Sequence, residues 1–419
     1  MTEASTAPGD APPPAGRALL ARFGTLSFFY FAAIGLFNPY APLWFQSLGF
    51  STLLIGGIAA LQSCTRVFAP YAWSWTGDHG GRRTELIRIA AFGSLLAALG
   101  LMGVEAALPV AAVTLLMFLA NSGVVPLHEA LLSQHLNTAQ GIDPARYGRV
   151  RMWGSAGFIV AVMSFGALLE WAGIAIFPAF VACMNLLLLG AALRLPATRT
   201  AAVHDGAALP ELPRVLPVLR RPEVAWFFAS IFFTVLAHTS LYAFFSLYLV
   251  SLGYGKWAVG ALWAVSVVVE IVFFWFQGRW FPQLTAHRWL EVVAAVTTLR
   301  FVATAAGGAL APVLLLAQLT HAITFAAHHA ACIALVHRLF PGRLRGRGQA
   351  LYTMLGYGIP GVLGGLGGGW IISVFGFQAV FWAAAACGLA AWACARLASR
   401  AAALQAAGVT KTIDSAETT

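Results

Sequence analysis

Charge is scarce in this sequence, acidic charge most of all. Asp and Glu together number 15 in 419 residues, and all charged residues make up 10%, where a water-soluble domain carries roughly a quarter. A chain so poor in charge and 60% apolar excludes water as its main solvent. Long alternating strands are missing, which argues against a membrane barrel. No glycine-rich turn is preceded by a strand and closed by Lys-Ser/Thr, so a phosphate loop and direct ATP hydrolysis are not expected. The five cysteines, Cys64, Cys183, Cys332, Cys387 and Cys394, show no paired spacing and read as small packing residues rather than disulfides or metal ligands. No nucleophile–base pair or metal cluster suggests an enzyme, no cofactor is implied, and the polar links are too short for a soluble output domain.

Apolar runs are what the chain has in abundance. Twelve recur, near 20–47, 51–76, 85–106, 108–136, 148–170, 174–194, 223–251, 256–279, 287–306, 310–338, 347–373 and 377–399. As helices, each is long enough to cross a hydrocarbon core of roughly 30 Å. The expected fold class is therefore an all-α membrane protein of twelve transmembrane helices. Lys and Arg number 25, giving a formal net charge of +10. With both termini cytoplasmic, all of them but Lys256, Arg66 and Arg300 fall on the cytoplasmic side, as the positive-inside rule requires. The basic balance is thus an orientation signal in a multi-pass, bacterial-type inner membrane, and nucleic acid is not needed to explain it. The first apolar stretch, with its own Arg17 and Arg22, reads as a full span rather than a cleavable signal.

An internal repeat appears at a constant offset of 204 residues. Ser47-Leu48-Gly49-Phe50 followed by Gly56 recurs as Ser251-Leu252-Gly253-Tyr254 followed by Gly260, and Phe177, Ala182 and Cys183 match Phe381, Ala386 and Cys387. The implied organisation is an N-terminal arm (1–16) expected to be disordered, a six-helix bundle (17–195), a Pro-rich cytoplasmic linker (196–222), a second bundle (223–400) and a disordered tail (401–419). Parallel six-helix repeats related by an axis along the membrane normal are a transporter architecture, with the site near the midplane. The eleventh span carries Gly356, Gly358, Gly361, Gly364, Gly365, Gly367, Gly368 and Gly369, which permit close helix contact, and Pro360 adds a kink.

Ionisable residues inside the spans are the candidates for chemistry, because an unpaired charge there costs several kcal/mol. They are Arg66, His128, Glu129, Arg151, His238, Glu270, Arg300 and His321. Arg66 and Glu270 are separated by the repeat offset, so a cation and an anion occupy equivalent points of the two halves. Static interhelical ion pairs are the competing reading. His328 and His329 offer no carboxylate or Cys on a shared face with His321, so no metal is expected.

Gly77-Asp78-His79-Gly80-Gly81-Arg82-Arg83 resembles the cytoplasmic signature of the Major Facilitator Superfamily, with Ser74 and His79 departing from it. The resemblance implies a gate formed by Asp78, Gly81, Arg82 and Arg83; an ordinary solvated turn is the alternative. Tyr147-Gly148-Arg149-Val150-Arg151-Met152-Trp153-Gly154-Ser155, Ala237-His238-Thr239 with Tyr242, and Glu270 within Ala264 to Ile271 resemble the 3-phenylpropionate transporter family over roughly residues 20–395. More distantly these positions are similar to lactose permease and the oligosaccharide–proton symporters. That likeness implies substrate binding by Glu129, Arg151 and Phe158, and a coupling group containing Glu270, Arg300 and His321. The symporters' proton-carrying carboxylate is here Thr324, and a helix 7 Asp is here His238. Glu270 remains the candidate proton carrier, with His321 and His238 as titratable partners, and Arg66 and Arg300 as further substrate cations.

The expectation is a monomeric secondary transporter moving a small organic solute with protons, best matched by an aromatic carboxylate. A sugar or nucleoside symporter and a drug–proton antiporter remain open at this point.

Overall fold

The computed structural model describes residues 16–138, 141–197 and 215–417. Among the described residues, twelve helices are long and apolar enough to span a membrane. They are α1 Arg17–Ser47, α2 Thr52–Gly77, α3 Arg83–Gly103, α4 Ala107–Leu136, α5 Arg146–Ala172, α6 Ile174–Leu193, α7 Pro222–Ser251, α8 Lys256–Gln283, α9 Ala286–Gly307, α10 Ala311–Leu339, α11 Arg345–Phe375 and α12 Phe377–Gln405. These bounds fall within about a turn of the apolar runs at nearly every end. Helices prevail because lipid offers no partner for a backbone N–H or C=O, and only a helix or closed barrel satisfies both internally. Ser51 starts α2 by accepting from the Leu54 N–H at 3.3 Å, and Thr285 starts α9 by accepting from the Arg288 N–H at 3.3 Å, each supplying one of the acceptors a helix start lacks.

The two repeats carry the same terminal motif. At the end of α1 the Gly49 and Phe50 N–H groups return to Gln46 and Phe45; at the end of α7 those of Gly253 and Tyr254 return to Val250 and Leu249. Gly49 and Gly253 hold φ at +80° and +88°, a left-handed setting that L side chains avoid, and this is why the Ser-Leu-Gly-aromatic sequence repeats. Ser47 and Ser251 each donate to the carbonyl three residues back at 2.7 Å.

Residues 1–15, most of the expected N-terminal arm, lie outside the described residues, as do 139–140, 198–214 in the middle of the linker, and 418–419. The helix containing α12 runs on to Glu417, through residues expected to form a disordered tail. The run Ala401-Ala402-Ala403-Leu404-Gln405 contains no Gly or Pro to stop a helix and is rich in its best former.

The two halves meet along two seams, both at the end of the bundle opposite the termini. In the first, α2 lies against α11: the Thr52 hydroxyl donates to the Gly369 carbonyl at 3.0 Å, and a methyl group on Gly361 would meet the Ser63 side chain at 2.4 Å. In the second, α5 lies against α8. The Tyr40 hydroxyl of α1 reaches the Lys256 carbonyl at 3.4 Å, the Lys256 N–H donates to the Glu170 carboxylate, and a methyl group on Gly260 would lie 2.4 Å from the Val162 carbonyl oxygen. At the terminus end each half is fastened within itself. Arg88 of α3 donates to the Leu195 carbonyl at 2.7 Å beyond the end of α6, where a cation complements the helix dipole. Buried Glu223 of α7 pairs with Arg338 of α10, with His287 of α9 at 3.3 Å and with Arg221 at 3.6 Å.

Candidate functional site

A cavity of about 730 Å³ opens inside the N-terminal half. Arg66 of α2 lines it together with Tyr30 and Phe37 of α1, Phe118 and Asn121 of α4, and Asn185 of α6. Gln349 and Thr353 of α11 reach the same space from the other half. Among the described residues no carboxylate stands within ion-pair distance of Arg66, so the guanidinium faces the cavity with its charge uncompensated by protein.

Glu129 and Arg151 form a second polar cluster next to it. The Arg151 Nη1 stands 3.3 Å from Glu129 Oε1, and the Tyr147 hydroxyl donates to Glu129 Oε2 at 2.8 Å. Arg151 remains 57% exposed. Tyr30, Phe31 and Val125 line both this cluster and the Arg66 cavity, so the two are neighbours across one wall.

The C-terminal half holds a buried cation. Arg300, 1% exposed, donates Nη1 to His321 Nδ1 at 3.0 Å and to the Thr324 hydroxyl at 2.8 Å, and Nη2 to Gln318 Oε1 at 2.9 Å. Ser266 donates to the same Gln318 oxygen at 2.6 Å. Since an arginine can only donate, His321 must present Nδ1 as its acceptor and is held in the neutral Nε2–H form. Each of these acceptors is neutral, and among the described residues no carboxylate pairs with Arg300. His238 donates Nδ1–H to the Thr234 carbonyl at 2.7 Å, and its buried Nε2 has no hydrogen-bond partner.

Glu270 is half-buried on α8 and makes no hydrogen bond or ion pair among the described residues. The cation whose field reaches it is Arg151, from the opposite half. The symmetric partner Arg66 is not in contact with it. Tyr242 of α7 stacks on Trp263 of α8, with ring centroids 6.2 Å apart.

The structure thus brings Glu129 to Arg151 and Arg300 to His321, and leaves Arg66 and Glu270 apart. Phe158 is half-buried, with its backbone carbonyl close against Gly35 of α1, and does not line the Arg66 cavity. In the loop after α2, Gly81 adopts φ +61° and returns its N–H to the Gly77 carbonyl at 3.1 Å. Arg82 pairs with Glu85 at 3.7 Å in solvent, and Arg83 begins α3. Asp78 lies in the last turn of the helix that ends at Gly80, and its side chain is outside the description. In α10, six residues, Ala322–Ala327, form a π-helix. The wider turn shifts the helical phase, so His321 and His328, though seven apart, have different partners: His328 Nε2 sits 3.4 Å from the Cys332 sulfur.

Several residues of the site escape a search restricted to ionisable groups. Gln318, Asn185, Asn121 and Tyr147 carry no charge at neutral pH, yet Gln318 holds Arg300 and Tyr147 holds Glu129. Any polar side chain in an apolar span would have been the better signal, since an unsatisfied amide is also costly in lipid.

Two six-helix repeats closed at one end, around polar groups buried at mid-span, define a multi-pass membrane transporter rather than an enzyme. A family profile described as "MFS_1 like family" matches residues 20–383, and the chain belongs to that family. It is 28% identical over 311 residues, 73% of this chain and 79% of the other, to the Escherichia coli (strain K12) protein named "Probable 3-phenylpropionic acid transporter". It is 26% identical over 381 residues to the maltose permease of Geobacillus stearothermophilus, covering 86% of this chain and 89% of that one. Among solved structures, the nucleoside transporter NupG superposes with a TM-score of 0.78 at 17% identity, covering 90% of this chain and 98% of that one.

Proposed function

We propose that the protein is a proton-coupled symporter of a small aromatic carboxylate, working by alternating access in a bacterial-type inner membrane with both termini cytoplasmic. The carrying observation is Arg66: a guanidinium on the wall of a cavity of about 730 Å³, among aromatic side chains and without a protein carboxylate to neutralise it. A cation in a low-dielectric site needs a counter-anion, and a substrate carboxylate supplies one through a bidentate pair. The name of the Escherichia coli relative agrees with this substrate class.

With cytoplasmic termini, the seams at the opposite end make this the inward-facing state. Glu270 carries the proton in this reading, since it is half-buried on α8 without a hydrogen-bonded or ion-paired partner among the described residues and protonation would remove its charge. Thr324 stands where the sugar symporters place their carboxylate, so Arg300, His321 and His238 form a neutral-partnered group that senses charge without exchanging an acidic proton. Glu129 and Arg151, already neutralising each other, orient the substrate from the adjoining wall. Asp78, Gly81, Arg82 and Arg83 are the proposed cytoplasmic gate when the other state forms. One observation favours a neutral solute instead: the Glu129–Arg151 pair leaves no net charge beside the cavity, which would suit sugar hydroxyls. Uptake into proteoliposomes with an imposed pH gradient separates the two. Accumulation of phenylpropionate-type acids, and not of sugars or nucleosides, is expected; accumulation of neutral solutes alone would overturn the acid.

A further inference from the structure

The two halves start their second helices differently. Ser51 begins α2 with its own side chain, accepting from the Leu54 N–H. One repeat offset later stands Gly255, which begins α8 with no side chain to offer. The missing acceptor comes from the opposite half. The Lys256 N–H, one of the helix-start donors that have no internal partner, donates to the Glu170 carboxylate near the end of α5. A methyl group on Gly255 would stand 3.2 Å from both Glu170 oxygens, so the carboxylate and a side chain at 255 compete for one place.

Charge makes this contact more than a tie. A carboxylate at a helix N-terminus is favoured by the helix dipole, and a hydrogen bond to an ionised acceptor is roughly twice as strong as a neutral one. A protonated Glu170 keeps neither advantage. Glu170 is exposed, so solvent at the closed end of the bundle reaches it. Facing it from α8 is Lys256, whose ammonium makes no ion pair among the described residues, with the Tyr254 phenol in the turn before. From α1 comes Tyr40, whose hydroxyl lies 2.6 Å from the Val162 carbonyl. Glu105, between α3 and α4, is the one other charged residue at this end. The α2–α11 seam has nothing comparable: the position equivalent to Glu170 is Val374, and the bond from Thr52 to Gly369 is neutral.

We infer that Glu170 is a proton site on the outer face, separate from the proton that travels with the substrate: ionised, it latches the outer end by capping α8, and protonated from outside, it lets the α5–α8 seam part. The latch is present while Glu170 is ionised and is lost as the outer pH falls, which shifts the carrier toward the state open to the outside. The inference rests on the alternating-access reading and adds a control to it.

Spin labels at Leu108 and Leu310, exposed at the outer ends of α4 and α10 in opposite halves, read this opening on the full chain by double electron–electron resonance. As the pH falls from neutral through the carboxylate range, the ratio of long to short distances should rise about fivefold, the factor that corresponds to ~1 kcal/mol. Glu170→Gln should show the raised ratio already at neutral pH and respond no further. Glu270→Gln should keep the response, which separates the latch from the coupled proton. Glu170→Ala combined with Gly255→Ser gives α8 a cap of its own, as Ser51 gives α2, and should stay open; a return to the closed distribution would reduce Glu170 to a helix cap and overturn the latch. A pH response that survives in Glu170→Gln would overturn it as well. If Glu170→Gln leaves the distances unchanged while Gly365→Leu lengthens them, the latch fails and alternating access stands. If neither variant nor acid lengthens them, both fail.

Discussion

Gly56 on α2 and Gly365 on α11 meet backbone to backbone: a methyl group on Gly56 would lie 2.1 Å from the Gly365 carbonyl oxygen, and one on Gly365 would lie 2.5 Å from that of Gly56. Gly361 and Gly369 extend the same face of α11 against Ser63 and Thr52. Without side chains in the way, the helices approach closely enough for dispersion and weak C–H contacts to hold the seam in lipid, where no hydrophobic force drives helices together. In the proposed alternating-access cycle this seam must part when the other state forms.

Gly365→Leu should therefore open the seam. Overpacking a close contact costs about 1–3 kcal/mol, enough to move a near-balanced equilibrium by about tenfold. Spin labels at Ser51 and Trp370, on the two sides of the seam, should report a longer distance by double electron–electron resonance. A distribution identical to that of the parent would count against the seam as a gate.

Glu270→Gln removes the proposed proton carrier while keeping shape and hydrogen bonding. Accumulation driven by a pH gradient should fall to background, while exchange of labelled for unlabelled substrate persists. Undiminished accumulation would take Glu270 out of the coupling mechanism.

Arg66→Lys keeps the charge and loses the bidentate fork. Affinity for acids should drop by about tenfold or more, and affinity for the corresponding amides should barely change. In the proposed coupling, acid binding is accompanied by proton uptake at Glu270. Calorimetry in buffers of different ionisation enthalpy should register net proton uptake on acid binding; identical heats in every buffer would refute the link.

Glu223→Gln tests a structural role away from the cavity. Glu223 joins α7 to α10 through a hydrogen bond from Arg338, and a hydrogen bond to a charged group contributes about 1.5–3 kcal/mol. The variant should melt several degrees lower in detergent with substrate affinity unchanged. A melting temperature equal to the parent's would show that the pair contributes nothing to stability.

What the sequence by itself determined is the set of spans and their duplication. Twelve apolar runs become helices whatever their neighbours, because lipid leaves the backbone no other way to satisfy its polar groups. Gly49 and Gly253 end corresponding helices alike because each turn needs a positive φ, a local requirement visible in local sequence. Glu129 with Arg151 was legible through resemblance, as two charges that could not both lie unpaired in a span. The partner of each remaining charge was not legible. Arg66 and Glu270 match through the repeat offset, yet that offset encodes equivalent places in two halves, not contact between them. Only the packing of the halves brings Arg151 of one half near Glu270 of the other, and only the packing of α9 on α10 delivers Gln318, His321 and Thr324 to Arg300. Local sequence sets which way a helix ends; which side chain faces which across a cavity depends on helix rotation and on how far the halves have tilted, and those are properties of the assembled bundle.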